Sequence, residues 1–136
     1  MPGYGWVIGF HAAPGNDEWD IYPDTPTDDI LDQLMDREGR LAFAGHTHQS
    51  MDRDLGAWRM VNVGSVGFPY DDRHACYVLV TFDGGSAHVE FRRVEYDVES
   101  VIADMQANVA GAGDGIRLLR DPDSGKPRHV QVTRSS

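Results

Sequence analysis

The sequence predicts a mixed α/β (α+β) fold, and three observations carry that prediction. Two short apolar runs, Gly5–Phe10 and Leu41–Ala44, bracket a stretch whose apolar residues recur at helical spacing. Strand, helix and strand in that order form an α/β crossover unit. Two later segments read as hairpins, the second closed by Asp83-Gly84-Gly85, a strong turn signal.

Taken in order, Gly5–Phe10 is β-prone and glycine-flanked, and reads as a buried strand ending at His11. A polar loop follows over 16–27, with Trp19 and Tyr22 set among acids. These two aromatics read as loop anchors on the core or as cover for a cleft. Thr27 is placed to N-cap a helix, with Asp28 and Asp29 at the positive end of its dipole. Ile30, Leu34 and their neighbours Leu31 and Met35 form one apolar stripe, and Gly39 reads as the C-cap. Leu41–Ala44 is the next strand. The first hairpin turns near Leu55-Gly56 and returns along Ala57–Val63. It feeds Gly64–Pro69, a glycine-punctuated loop that lacks the Gly-Lys-Ser/Thr ending of a P-loop. The second hairpin pairs Ala75–Phe82 with Ser86–Val94. Val98–Val109 has helical period through Val101, Ile102, Met105 and Val109. From 111 to 136 small, polar and basic residues predict a flexible tail, so the folded unit is expected over 1–110.

Length and charge bound the function. At 136 residues the chain is a single domain with a real core. Asp and Glu number 22 against 12 Lys and Arg, a net charge of -10, which argues against strong non-specific nucleic-acid binding. A phosphate-bearing substrate stays compatible, because bound divalent cations locally reverse the field. Cys76 is the only cysteine, so no intrachain disulfide forms. No run is long enough to span a membrane. Met1–Gly5 lacks the basic start of a signal peptide, and a soluble cytoplasmic protein is expected.

The chemistry-bearing residues are histidines at strand ends. His11 opens onto Pro14-Gly15 at the end of the first strand, where α/β proteins place ligands. Backbone groups at the strand mouth could equally satisfy it. His46 and His48 sit two apart in Gly45-His46-Thr47-His48, just past Leu41–Ala44. They read either as solvated loop residues or as ligands to one metal or to two adjacent metals.

His11-x-x-Pro14, then Gly45-His46-Thr47-His48, then Asn62-Val63-Gly64-Ser65-Val66-Gly67-x-Pro69, in that order, resemble the C-terminal half of calcineurin-like metallophosphoesterases. The closest resemblance is to their small bacterial and archaeal phosphodiesterase branch, and Phe91–Glu99 is similar to that branch's ending. The resemblance implies the C-terminal half of a two-sheet β-sandwich flanked by helices, with metals at one end. It also implies two divalent ions (Mn, Fe, Zn or Ni), with His11 and His46 on one and His48 on the other. Asn62, Gly64 and Ser65 match a loop that supports the site from beside it without supplying ligands. The implied activity is metal-dependent hydrolysis of a phosphate ester, as a phosphodiesterase or phosphatase.

The chain departs from the family pattern in several places. Ala12-Ala13 replaces Gly-Ser, Val63 replaces a proline, and His74 stands near a position often held by arginine. The family's N-terminal motifs, Asp-x-His, Gly-Asp and Gly-Asn-His, have no match here, so no general acid or bridging carboxylate can be named. The expected partners are a phosphate-ester substrate and either the missing N-terminal half or a second copy, paired through exposed strands. A non-catalytic interaction module and a truncated inactive fragment are the competing expectations.

Overall fold

Leu41–Ala44 is apolar at every position, which suits a strand covered on both faces. In a computed structural model, which describes residues 1–122, this run is a central strand. The elements are β1 (Val7–Gly9), α1 (Thr27–Leu34), β2 (Leu41–Ala44), β3 (Ser50–Asp54), β4 (Arg59–Val63), β5 (Ala75–Asp83), β6 (Ser86–Val94), α2 (Val98–Asn108) and α3 (Gly113–Arg120). One sheet has the order β1-β2-β4-β3, and β5 and β6 form a separate hairpin sheet. β2 pairs in parallel with β1 and with β4, while β3 runs antiparallel to β4.

Alternation along β2 divides the core into two clusters. Ala42 and Ala44 meet Ile30 and Leu34 of α1, together with Ile21, Met51, Met60 and Trp58. Leu41 faces the other way, with Val61, towards Val78, Val80, Phe82, Val89 and Phe91 of the hairpin sheet. The order of layers is therefore helix, four-stranded sheet, hairpin sheet. The first interface is the more fully buried: Ile30, Ala42 and Met60 are fully buried, whereas beside Leu41 and Val61 the second holds Val7, Phe43, Val63, Val78, Val80 and Phe91 only half-buried.

Several boundaries differ from the sequence reading. Strand β1 is shorter than Gly5–Phe10, although Phe10 N–H still donates to Phe43 O at 3.0 Å. Thr27 is the first helical residue and does not cap α1: Pro26 holds the N-cap, and Thr27 Oγ1 accepts from Arg53 Nη2 at 2.9 Å. The helix stops at Leu34, before Gly39, because Met35 turns into the left-handed region at φ 52°. The Arg37 guanidinium caps the carbonyls of Gln33 and Leu34. Gly39 has a different use. A side-chain carbon there would run into the Trp58 ring, so glycine leaves room for the indole.

The predicted tail also needs correction over 113–120, which forms α3 with Leu119 buried. Gly111, Gly113 and Gly115 made this stretch read as a loop. Gly115 instead lets α3 sit close to Met105 of α2 and to Phe68, and Leu119 anchors the helix. The rest of the expected tail, 123–136, lies outside the described residues. Cys76 is free and buried. Among the described residues no helix is long and apolar enough to cross a membrane.

Candidate functional site

Three parallel strands, β1, β2 and β4, release their chains at one end of the sheet, where α/β proteins gather ligand-binding groups. The segments that leave carry His11, Gly45–His48 and Gly64–Pro69 respectively. Gly45 N–H donates to His11 O at 2.9 Å and ties the first two segments together.

The Gly45–His48 turn is tight. Thr47 N–H reaches Gly45 O at 2.7 Å, and His46 and His48 both adopt positive φ, 63° and 57°. Histidine is among the few non-glycine residues enriched in that left-handed region. Thr47 between them is buried, and Asn62, fully buried, fixes the turn from β4. Asn62 Nδ2 donates to Gly45 O at 2.7 Å and to Thr47 Oγ1 at 2.9 Å, and Asn62 Oδ1 accepts from Gly64 N–H at 3.0 Å. Gly64 has φ 76°, and a side chain there would run into Ser50 Oγ and Cys76. Ser65 Oγ accepts from Phe68 N–H at 3.1 Å. Asn62, Gly64 and Ser65 thus bond to loop backbone and to Thr47, with no direct bond to a histidine.

His46 Nδ1 and His11 Nε2 are 2.9 Å apart, and their rings meet edge to face. Two ligand atoms each about 2.1 Å from one ion sit roughly that far apart when they are adjacent around it. His48 is turned differently. Its Nδ1–H donates to Phe68 O at 2.9 Å, which leaves Nε2 with the free lone pair, and Tyr70 lies beside its ring. The donor chemistry fits divalent cations, which accept imidazole nitrogen. The set is partial, however. Among the described residues no three His, Cys, Asp or Glu side chains are grouped to hold one ion. His11 and His46 come together, and His48 does not join them.

Asp20 is a site residue that sequence reasoning passed over. Its Oδ1 lies 3.2 Å from His46 Nε2, while His11 meets Nδ1 of the same ring. The Tyr22 hydroxyl is hydrogen-bonded to Asp20. Burial, that bond and the charges of Asp20 and Tyr70 push the Tyr22 phenol up to about 12, so it keeps its proton and remains a donor. Trp19 is half-buried against the α1-side core, which makes it an anchor of this loop rather than a lid. No single-sequence signal marks Asp20, because its partner lies in a different loop.

His74 belongs to a different neighbourhood. Its Nδ1 is 2.6 Å from Asp72 Oδ1 and its Nε2 3.8 Å from Glu95 Oε1. Burial pushes the Asp72 carboxyl up, but hydrogen bonds from the His74 backbone and ring outweigh it and leave Asp72 below the usual carboxylate range. Facing carboxylates, His74 is poorly placed to receive an anion.

With this geometry in view, the comparisons with known proteins are specific. Residues 12–85, more than half the chain, match the model of the calcineurin-like phosphoesterase superfamily domain. The chain belongs to that superfamily. The matched region contains His46, His48, Asn62, Gly64 and Ser65, and begins one residue after His11. Among solved structures, the chain is similar to the hypothetical protein PH1004 from Pyrococcus horikoshii OT3, with 26% identity and a TM-score of 0.65, over 82% of this chain and 45% of that one. It is also similar in fold to a metallophosphoesterase from Sphaerobacter thermophilus, with 22% identity and a TM-score of 0.64, over 85% of this chain and 55% of that one. The chain therefore spans about half the length of these two proteins. No curated protein matches the sequence.

Proposed function

We propose that this chain contributes the C-terminal half of a metal-dependent phosphoesterase centre that hydrolyses phosphate esters as a phosphodiesterase or phosphatase. The observation that carries the reading is the 2.9 Å approach of His11 Nε2 and His46 Nδ1 at neighbouring ends of parallel strands. His11 and His46 would hold one divalent ion and His48, through Nε2, a second; Mn, Fe, Zn and Ni all accept imidazole. Such ions supply positive charge for phosphoryl oxygens and lower the pKa of water. The chain's own residues orient the histidines, with Asn62 and Thr47 holding the turn. The remaining ligands, a bridging carboxylate among them, come from a half-domain with the family's N-terminal motifs. A reducing cytoplasmic setting suits the lone Cys76 thiol.

Manganese titration of the full chain by calorimetry tests the reading. We expect binding that weakens at least about 10-fold in His11→Ala and in His46→Ala. Manganese binding that is absent, or indifferent to both substitutions, overturns the assignment. Hydrolysis of an aryl phosphodiester with manganese is expected to be weak from this chain alone.

One observation favours a second reading, that of an interaction module. Around the buried Leu41 and Val61, many apolar residues between the two sheets are half-buried, and Trp6, beside edge strand β1, is 68% exposed. Such a face suits association with another polypeptide.

A further inference from the structure

A neutral imidazole has one N–H and one lone pair, and the partner of the first decides the position of the second. Within Gly45–His48 this choice is made oppositely at the two histidines. His48 has Nδ1 committed to the carbonyl of Phe68. His46 has Nδ1 2.9 Å from His11 Nε2, and Nε2 3.2 Å from Asp20 Oδ1 as a charge contact. An ionised carboxylate can only accept, so it favours the tautomer that carries hydrogen on the nitrogen beside it.

We infer that Asp20 is the positioning residue of His46: its carboxylate favours hydrogen on Nε2 and so reserves Nδ1 as the lone pair offered, with His11, to a divalent cation. The inference rests on the metal reading proposed above. The loop is built for the task. Ile21, next to Asp20, is buried in the core, and its carbonyl accepts from Thr47 Oγ1 at 3.4 Å, inside the same turn that carries His46. Tyr22 N–H is fixed by Thr25 Oγ1 at 2.8 Å, and the Tyr22 hydroxyl is hydrogen-bonded to the carboxylate. Asp20 is therefore oriented by its own loop while that loop is fastened to the turn that carries His46. In that tautomer, without a bound cation, His11 Nε2–H is the donor to His46 Nδ1. Loading the site requires that proton to leave His11 Nε2, either to the ring's Nδ1 or to solvent, and the lone pair on His46 is already in place.

Two measurements on the full chain test this. Long-range 1H–15N correlation of the metal-free protein at about pH 8, where histidines are largely neutral, reads the tautomer. Zinc titration reads affinity. In the unaltered chain His46 is expected as the Nε2–H tautomer. Asp20→Ala removes the acceptor, so His46 should become a tautomer mixture and zinc should bind about 10-fold more weakly. Asp20→Asn keeps an acceptor oxygen and should restore the tautomer and part of the affinity. Unchanged His48 signals in both variants report an intact turn. The positioning role is overturned if His46 keeps Nε2–H without Asp20, or if zinc binds equally well without it. An unaltered chain that binds no zinc overturns the metal reading itself, whatever the tautomer.

Discussion

Asn62 is fully buried, and each of its side-chain hydrogen bonds goes to the loops at the end of the sheet: Gly45 O, Thr47 Oγ1 and Gly64 N–H. Replacing it with leucine, close in size, removes all three bonds and strands the buried Gly64 N–H, while Gly45 O keeps Thr47 N–H and Thr47 Oγ1 keeps Ile21 O. Each buried group so stranded costs about 1–3 kcal/mol. Asn62→Leu is expected to lower stability by at least that much in urea unfolding, and to weaken manganese binding although no ligand is touched. At this scale the sequence was informative where a residue's chemistry is unusual for its position. Histidines following apolar strands stood out without any structure. Asp20 did not, because one carboxylate among many in an acidic loop looks like solvated surface, and only the closure of residues 20 and 46 onto each other distinguishes it. Left-handed backbone at His46 and His48 was also hidden, since strand spacing alone suggests two side chains on one face.

Elements were legible where periodicity and turn chemistry agree. The β5–β6 hairpin follows its Asp-Gly-Gly signal, with Asp83 opposite Ser86 across Gly84 and Gly85. The end of α1 was misread because glycine has two uses. Gly39 resembles a C-cap, yet its role is tertiary: the Trp58 ring occupies the space that a side chain would fill. Gly39→Ala is therefore expected to destabilise the chain by about 1–3 kcal/mol through overpacking. The measurement is denaturant unfolding followed by tryptophan fluorescence. Combining it with Trp58→Leu should give less than the sum of the two losses, the signature of residues in contact. Helix α3 was missed for a related reason: glycines that look like loop residues permit a close helix approach at Gly115.

For the molecule as a whole, the two interfaces of the central sheet differ. The α1 side has the larger buried cluster, and the hairpin side leaves more apolar residues half-buried beside edge strand β1. Sedimentation of the isolated chain should show concentration-dependent association, reduced by Trp6→Lys; a monomer at all concentrations would count against the interaction surface. The overall class was legible because membership rests on short ordered motifs. The second interface was not, because it depends on which half-buried residues find cover. The wiring of the two sheets has a further consequence. Strands β5 and β6 are joined through Gly84 and Gly85 alone, whereas β1 reaches β2 only after residues 10–40 have been folded back. Hairpins close in about 1–10 μs, while a long crossover must meet its closure entropy before any pairing repays it. The hairpin is therefore expected to form before His11 meets His46, and the two histidines come together only once the crossover has closed.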